Sequence, residues 1–372
     1  MRVGSVELRE FRTYTRATAR FGDGLTVVHG PNGAGKSNLL EGLYYGCTGR
    51  SPRTRNEREL VRFGAQSARV SVRLLDGDAE HELSVGFGAV ADSRQLVKRM
   101  TADGALVERL LDVELRPLLS VFSPDRLELL KGTPALRRAH LDQLVAGIWP
   151  ARAATRGEYA RALAQRNALL TSIRSGRASK ATLAAWDLEL ALRALELRSH
   201  REAAAALISQ PFSRRAELLG CSGEVTLVYR PRSRAGDAEA FLAELRERLP
   251  ADIERGFTGH GPHRDELAFL RAGREMRVYA SQGEQRIALL ALLLAERAVL
   301  AQERGSAPLM LLDDVMSELD GERRELLAQE LRAAGQSVIA TTDLAHVPGA
   351  GDASVARLRV SPGVILREAI AA

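Results

Sequence analysis

The octapeptide Gly30-Pro31-Asn32-Gly33-Ala34-Gly35-Lys36-Ser37 constrains this chain more than any other segment. An apolar run, Leu25–Val28, precedes it, and a helical pattern beginning at Asn38 follows it. A strand, a glycine loop, a lysine and a helix start form the arrangement that wraps a polyphosphate. Gly33 and Gly35 allow the backbone to point successive N–H groups at one anion, and the new helix adds its own N–H groups and dipole. The segment therefore predicts a nucleotide-binding loop.

Two side chains of this loop are predicted to contact the ligand directly. Lys36 supplies a mobile point charge for the outer phosphates, and the Ser37 hydroxyl is placed to ligate Mg²⁺. Lys36 is also the only lysine in the first 97 residues, where every other cation is arginine. A position that needs a compact, flexible ammonium explains this exception, because the planar guanidinium of arginine is not equivalent there.

Composition predicts a soluble globular chain of one large domain or two to three lobes, since 45% of the 372 residues are hydrophobic and 27% are charged. No segment approaches the ~20 apolar residues of a membrane span, and the N-terminus lacks an apolar signal core. The two cysteines are too few for a disulfide framework or a zinc site, and the seven histidines show no metal-ligand spacing. A cytoplasmic location is expected.

The net charge of +6, carried almost entirely by arginine, leaves two interpretations open. One is a nucleic-acid partner, and the other is a GC-rich genome that replaces lysine by arginine on an ordinary solvated surface. Aromatic residues make up only 5% of the chain, so the composition does not suggest a surface that stacks single-stranded bases on aromatic rings.

Alternating and apolar patterns outline the order of elements along the chain. The first 88 residues predict a mixed sheet beside the loop helix, which is expected to stop at Gly46. A helix is expected over Val107–Leu119, and the chain from Pro134 to about Pro211 reads as two helices of roughly 20–28 residues, a helical knob and not a long coiled coil. Strands are expected at Glu266–Leu270 and Arg274–Ala280.

The last third of the chain carries a second set of chemical signals. Ser281-Gln282-Gly283-Glu284-Gln285 opens a long apolar helix, which is either an anion-facing helix start or an ordinary N-cap. Leu309–Asp314 is a buried-strand pattern that ends in two carboxylates, the hard oxygen ligands that Mg²⁺ needs beside such a loop. The second carboxylate, Asp314, can orient or deprotonate an attacking water. Another short apolar strand ends in Thr341-Thr342-Asp343.

The P-loop, the helix start at Ser281, the apolar strand with its two acids and the strand ending at Asp343 follow one another in an order that resembles the ABC-type ATPases. The separation of about 245 residues between Lys36 and Ser281 is similar to that of the SMC-like branch, with a short helical insert. Within that branch the chain resembles the RecF family over nearly its whole length. Besides the P-loop, the residues that carry this resemblance are Ser51–Thr54, Phe122–Asp125, Pro134, Arg137, Arg138, Leu141, Asp142, Tyr159, Gln165–Asn167, Gly261–Arg264, Ser281–Arg286 and Leu312–Asp320.

The resemblance implies an α/β fold: an ABC-type ATPase head with a mixed sheet and an inserted helical lobe. The expected division is ATPase lobe I in residues 1–122 and 256–372, the latter with the signature and Walker B motifs, and helical lobe II in residues 123–255. It also implies that Gly30–Asn38 bind ATP, that Ser37 and Asp313 serve Mg²⁺, and that Asp314 activates water. Ser281 and Gly283 are expected to meet the γ-phosphate of ATP held by a second subunit, which implies a homodimer. A glutamine contact to Mg²⁺ is expected too, for which Gln66 is a candidate by position.

The function implied by the resemblance is an ATP-dependent DNA-binding protein of recombinational repair. It would act as a slow switch at single-strand gaps or junctions and help to load recombinase with RecO- and RecR-like partners. Compared with transporter ATPases, Asp314 stands in place of Glu and Thr342 in place of His, which argues against fast hydrolysis. The alternatives are an ABC transporter subunit and an ATP-locked DNA clamp that does not hydrolyse. Candidate DNA contacts, which are equally interpretable as solvated charge, are Arg53, Arg55, Arg58, Arg62, Arg230, Arg232 and Arg234.

Overall fold

The fold is described from a computed structural model, which covers residues 1–89 and 96–368 and gives only the backbone of Ala89, Pro124 and Asp125. The last two, part of the family resemblance, thus lie outside the described side chains. The strands of the described residues are β1 (Arg2–Phe11), β2 (Tyr14–Arg20), β3 (Leu25–His29), β4 (Ser67–Asp76), β5 (Ala79–Ala89), β6 (Leu96–Ala102), β7 (Ala105–Val107), β8 (Leu119–Phe122), β9 (Val225–Arg230), β10 (Glu266–Arg271), β11 (Arg274–Glu275), β12 (Leu309–Asp313), β13 (Ser337–Thr341), β14 (Ala356–Ser361) and β15 (Val364–Arg367). Their α-helices are α1 (Lys36–Thr48), α2 (Glu128–Lys131), α3 (Pro134–Ile148), α4 (Thr155–Arg174), α5 (Ala184–Leu218), α6 (Ala238–Arg255), α7 (Met276–Tyr279), α8 (Gln282–Arg304) and α9 (Gly321–Ala333).

The chain divides into two compact units, of which the first comprises residues 1–126 and 304–372. It holds an antiparallel sheet in the order β2-β1-β4-β5-β6-β7 and a mixed sheet in the order β15-β14-β3-β13-β12-β8. In the mixed sheet, β14, β3, β13, β12 and β8 run parallel, and only β15 is antiparallel to its neighbour. The mixed sheet and the helix that follows β3 confirm the predicted α/β class.

Helix α1 lies between these two sheets and contacts β4 and β5 on one side and β12 and β13 on the other. It continues through Gly46, the residue at which the sequence predicted its end, and stops at Thr48, with Gly49 in the left-handed region at φ 68°. A Cβ at Gly46 would lie only 2.5 Å from Val72 and 2.8 Å from Val70. The glycine therefore serves close packing of the helix on β4, and the prediction of a helix end there was wrong.

The second unit, residues 127–303, is mainly helical. Its long helix α5 contacts α3, α4, α6 and the small antiparallel sheet β11-β10-β9. The helical knob itself is confirmed, without an extended coiled coil, but its helices differ from the prediction: three helices, α3, α4 and α5, replace the expected two. At 35 residues and about 52 Å, α5 also exceeds the predicted 20–28 residues. The units differ from the predicted division mainly in residues 256–303, because β10 pairs with β9 and α8 follows in the same unit.

Helix α5 runs seven residues past Pro211, where the sequence predicted an end to helical structure. Two contacts hold this part of the helix in place: Phe212 is fully buried with its ring 5.9 Å from that of Phe269, and the Ser209 hydroxyl donates to the Leu227 carbonyl at 3.3 Å. Burial against β9 and β10 outweighs the hydrogen bond that proline cannot donate.

Two further local predictions were wrong. Residues 107–119 are not a helix: Ala105–Val107 form β7, which pairs with β6, and only one 3₁₀ turn follows at Leu110–Asp112. The expected strand Arg274–Ala280 ends after Glu275 and becomes α7. The buried side-chain amide of Gln285 donates to the carbonyls of Met276 and Ala280 at 3.0 and 3.1 Å, and these bonds hold the chain in a helical turn.

Candidate nucleotide-binding site

The P-loop has the predicted strand–loop–helix arrangement, with β3 ending at His29 and α1 beginning at Lys36. Gly33 and Gly35 have φ angles of 77° and 112°, in the region that favours glycine. The buried Tyr14 hydroxyl donates to the Gly35 carbonyl at 3.0 Å and fixes the end of the loop from the neighbouring antiparallel sheet. No sequence pattern predicted this role of Tyr14, because the role depends on the packing of β2 beside the loop.

Lys36 lies across the loop that precedes it. Its Nζ donates to the Gly30 carbonyl at 2.8 Å and to the Pro31 carbonyl at 3.0 Å. Burial lowers the pKa of Lys36, while the nearby carboxylates Asp314 and Asp313 act in the opposite direction. An ammonium that is held by two carbonyls beside two carboxylates is well placed to bind the outer phosphates of a nucleotide.

Ser37 and Asp313, which are 276 positions apart in the chain, meet at the carboxyl edge of the mixed sheet. The Ser37 hydroxyl donates to Asp313 Oδ1 at 3.0 Å. Burial raises the pKa of Asp313, and the bond from Ser37 and the positive charge of Arg53 oppose this rise. The strands β3, β13 and β12 are parallel neighbours, so their carboxyl ends bring the loop and the acid together.

Asp314 directly follows this pair and has a left-handed backbone with φ 51°. Its backbone N–H donates to the Ala340 carbonyl at 3.0 Å, and its Oδ1 is buried without a hydrogen-bond partner in the described residues. A buried carboxylate oxygen without a donor is costly unless a cation or water satisfies it. The Ser37 hydroxyl and the Asp313 carboxylate are hard donors of the kind that Mg²⁺ prefers, so these two residues fit the expected ion, and the unpartnered Asp314 oxygen can accept a hydrogen bond from water.

A polar cluster beneath the loop helix was missed by the sequence analysis. The Glu41 carboxylate, fully buried in α1, accepts hydrogen bonds from Arg12 at 2.9 and 2.7 Å, from Ser51 at 2.6 Å and from Arg53 at 3.2 Å. Arg53 also donates to the Asn38 side chain at 3.0 Å. Arg53, a candidate DNA contact in the sequence, therefore lies beside the P-loop, where it joins the segment after α1 to the nucleotide site.

The signature residues lie in the second unit, at the start of α8. Ser281, Gln282 and Gly283 are exposed. Ser281 and Glu284 form a reciprocal capping box, in which the Glu284 N–H donates to the Ser281 hydroxyl at 3.3 Å and the Ser281 N–H donates to the Glu284 carboxylate at 2.8 Å. The ordinary N-cap interpretation is thus confirmed, and the exposed segment is also available to an anionic ligand.

The other predicted positions differ in their exposure and in their partners. Gln66 is exposed in the loop before β4, and none of the contacts of the described residues links it to Ser37 or Asp313. Thr342 is half-buried directly after β13. Arg62 pairs with Glu10 at 2.5 Å and Arg230 with Glu275 at 3.3 Å. Of the candidate DNA contacts, the remaining exposed arginines are Arg55, Arg58, Arg232 and Arg234.

Comparisons with known proteins agree on one family. A family model described as the RecF/RecN/SMC N terminal domain matches residues 2–357. The DNA replication and repair protein RecF of Heliobacterium modesticaldum is 36% identical over 93% of each chain. The protein of the same name from Myxococcus xanthus is 38% identical over 94% of this chain and 93% of its own.

Solved structures show the same likeness. The recombination mediator protein RecF of the RecFOR pathway, solved with ATP, is 26% identical with a TM-score of 0.82 and covers 99% of this chain and 97% of its own. An SMC head bound to the C-terminal winged-helix domain of ScpA shares the fold, at 17% identity and a TM-score of 0.60 over 100% of this chain and 98% of its own. Among the described residues, no helix is long and apolar enough to cross a membrane. The chain therefore belongs to the RecF family, within the RecF/RecN/SMC group of ATPases.

Proposed function

We propose that this chain is an ATP-dependent DNA-binding protein with a slow ATPase, which acts in the recombinational repair of single-strand gaps. The observation that carries the proposal is the meeting of Lys36, Ser37 and Asp313 at one sheet edge, with the Ser37 hydroxyl 3.0 Å from the Asp313 carboxylate. Support for ATP as the nucleotide comes from the family member solved with ATP, and support for repair comes from the names of the relatives.

In this proposal each residue of the cluster has one task. Residues Gly30–Asn38 bind the phosphates through the backbone N–H groups of all of them except Pro31, and Lys36 exchanges its two carbonyl partners for phosphate oxygens. Ser37 and Asp313 would hold Mg²⁺, and the bound ion would neutralise charge on the phosphates. Asp314 orients and deprotonates the attacking water. Gln66 remains the proposed glutamine contact to the ion, although it would need to approach the cluster.

The proposal also includes a homodimer that holds two ATP molecules. The signature residues Ser281 and Gly283 are exposed at the start of α8, in the compact unit that does not contain the P-loop. A helix start with an exposed hydroxyl suits the γ-phosphate of a nucleotide on a second copy of the chain. ATP would then favour closure of the dimer on DNA, and hydrolysis would reset it, with RecO- and RecR-like proteins as partners in a cytoplasmic pathway that loads recombinase.

Slow turnover is expected from two features of the site. The carboxylate of Asp314 is one methylene shorter than that of Glu, so it holds water at longer range, and Thr342 provides no imidazole at the end of β13.

The family assignment removes the transporter subunit as an alternative. The ATP-locked clamp remains a second candidate, because the same residues that bind ATP would also support a dimer that does not hydrolyse it.

The Asp314→Asn variant distinguishes the switch from the clamp. The amide retains the size of the side chain and suits the left-handed backbone, so the fold is expected to be unchanged. If Asp314 acts as the base, turnover falls by about 100- to 10,000-fold while ATP binding persists. Unchanged turnover would support the clamp.

A measurement of mass in solution tests dimerisation. It is made without nucleotide, with ADP and with a slowly hydrolysed ATP analogue, each with and without DNA. A monomer under every condition would contradict the mechanism.

A further inference from the structure

A row of arginines crosses the exposed face of the antiparallel sheet. Arg16 in β2 pairs directly with Arg9 in β1, Arg9 pairs with Arg69 in β4, and Gly86 in β5 connects Arg69 to Arg99 in β6. All four arginines are exposed on the face opposite α1, with side-chain exposures of 51% for Arg9 and 72% for Arg16. We call this set the arginine row.

The arginine row carries more positive charge than its surroundings neutralise. Directly opposed like charges on neighbouring strands destabilise a sheet. Among the described residues, the Glu7 carboxylate pairs with them, at 2.9 Å from Arg9 and 3.1 Å from Arg16, and Glu82 is a smaller source of negative charge beside Arg9. Arg69 donates to the Ser84 hydroxyl at 3.0 Å, and none of the described carboxylates pairs with Arg69 or Arg99. Such repulsion is relieved when an anionic ligand covers the face.

The dimensions of the row suit one strand of DNA. Five adjacent strands separated by about 4.8 Å give the row a length of about 19 Å. A DNA strand presents one phosphate per about 3.4 Å of helix axis, so a row of this length meets several successive phosphates. Gly86 presents no side chain in the middle of the row, and a Cβ there would have only the Arg99 carbonyl, at 4.0 Å, within reach. A backbone can therefore approach the sheet closely at this point.

A rigid turn beside the row presents one aromatic ring to solvent. Phe63 is 99% exposed, the largest exposed fraction among the described large hydrophobic side chains. It occupies the second position of the turn Arg62–Ala65, which is closed by a 2.9 Å bond from the Ala65 N–H to the Arg62 carbonyl, with Gly64 at φ 85°. Phe63 therefore contributes nothing to the core, although its backbone is held in a defined turn.

The stem of this turn joins it to the end of the sheet that carries the row. The Arg62 N–H donates to the Glu10 carbonyl at 2.8 Å, and the Arg62 guanidinium pairs with the Glu10 carboxylate. Glu10 directly follows Arg9, and β4 begins at Ser67, two residues before Arg69. The nearby sequence is polar and basic, with Arg58 exposed, so the ring lacks the apolar rim of a protein-docking pocket.

We propose that the arginine row and the Phe63 turn form a DNA-binding surface for a site where duplex meets unpaired DNA. The row holds the phosphates of one strand, and the Phe63 ring stacks on an unpaired base. The proposal rests on the DNA-binding function proposed above and specifies the residues that contact DNA. The low aromatic content did not suggest base stacking, but the proposal needs only one ring, which stacks one base and forms no extended platform.

The test measures equilibrium binding of the full chain with ATP to three DNAs of shared sequence: a blunt duplex, a gapped duplex and a single strand. The double variant Arg69→Gln/Arg99→Gln is expected to weaken all three complexes at 0.1 M salt, by about eightfold per lost contact on duplex and about fivefold on the single strand. The log–log salt slope should fall by about 0.9 and about 0.7 per contact, respectively. Arg246→Gln, at an exposed position of α6, is the matched control and should change neither quantity.

Phe63→Ala is expected to weaken only the two DNAs with unpaired bases, by about 5- to 150-fold, which corresponds to about 1–3 kcal/mol of stacking. Leu366→Ala, at a residue 58% exposed in β15, is its control. Equal effects of Phe63→Ala on the blunt duplex and the gapped DNA would overturn the base contact. An unchanged salt slope in the arginine variant would overturn the phosphate contact. If the unmodified chain bound none of the DNAs, the proposed function itself would be wrong.

Discussion

Replacing Glu41 by Gln tests whether one buried carboxylate holds the nucleotide site together. Glu41 Oε2 accepts from Arg12 at 2.9 Å and from Arg53 at 3.2 Å, and Oε1 accepts from Arg12 at 2.7 Å and from Ser51 at 2.6 Å. Glutamine has nearly the same volume but only one acceptor oxygen. It can keep the two hydrogen bonds that Oε1 accepts. Its amide N–H₂, however, would face the Arg12 and Arg53 N–H groups that now donate to Oε2.

The magnitude follows from these lost bonds. A hydrogen bond to a charged group contributes about 1.5–3 kcal/mol, and breaking a buried pair costs about 3–5 kcal/mol. The Arg12 side chain is 20% exposed and that of Arg53 is 42% exposed, so both guanidinium groups regain part of their hydration, and the contribution of Arg53 falls below about 1 kcal/mol. We therefore expect Glu41→Gln to lower the free energy of unfolding of the first unit by about 2–3 kcal/mol.

Urea unfolding measures this change, and titration with a fluorescent ATP analogue measures its effect on the site. ATP affinity should fall as well, because Arg53 links the Glu41 cluster to the nucleotide site. It donates a hydrogen bond to Asn38, and its positive charge opposes the rise in the pKa of Asp313. Glu80→Gln is the control, since the Arg73–Glu80 pair at 3.3 Å is more than half exposed on both sides and should contribute less than about 1 kcal/mol. Equal losses in the two variants would refute the reasoning.

Three further outcomes are expected. Gly30→Ala should destabilise the first unit by about 1–3 kcal/mol and weaken binding of the ATP analogue, because its Cβ would lie 2.2 Å from the Val360 carbonyl; wild-type affinity would contradict this. Arg166→Met should lower the free energy of unfolding in urea by about 3–5 kcal/mol, since it removes the 2.8 Å partner of the Asp252 carboxylate, which is 1% exposed. A loss below about 1 kcal/mol would contradict this expectation. Burial lowers the pKa of His263 to about 4, so the unfolded chain binds a proton between pH 6.5 and about 4 that the folded chain excludes. Stability should therefore fall as the pH is lowered through this window, and His263→Gln should flatten the slope of unfolding free energy against pH; an unchanged slope would argue against it.

Local patterns were sufficient where neighbouring residues in the chain create the feature. The P-loop needs only β3, its glycines and the first turn of α1, so its position could be read directly and was confirmed. The apolar strand ending at Asp313 was predicted for the same reason, because burial on both faces produces an unbroken apolar run. Neither pattern predicts how close the two segments lie to each other. Their proximity follows from the parallel order of β3, β13 and β12 in the sheet.

Predictions failed where packing outweighed a local preference. Gly46 looked like a helix end, but it is the residue that lets α1 approach Val70 and Val72 in β4. Pro211 also looked like the end of a helix, but burial of Phe212 keeps α5 continuous. The expected strand after Arg274 became a helical turn because Gln285, which lies further along the chain, donates to its carbonyls. For Gly46 and Pro211 the deciding contacts come from residues far along the chain, whereas Gln285 lies within nine positions of its partners and only its folded position shows the contact.

The sequence by itself determined the P-loop and the strand that ends in paired acids, because each consists of consecutive residues whose chemistry is local. The signature and the α/β class followed from the order of motifs along the chain and its resemblance to a family. Only the tertiary structure decided that Ser37 meets Asp313, that Glu41 holds Arg12 and Arg53 beneath the loop, and that a row of arginines crosses five strands. Pairing register and helix packing bring together side chains that are far apart in the chain. Their burial and charge therefore depend on neighbours that the local sequence does not reveal.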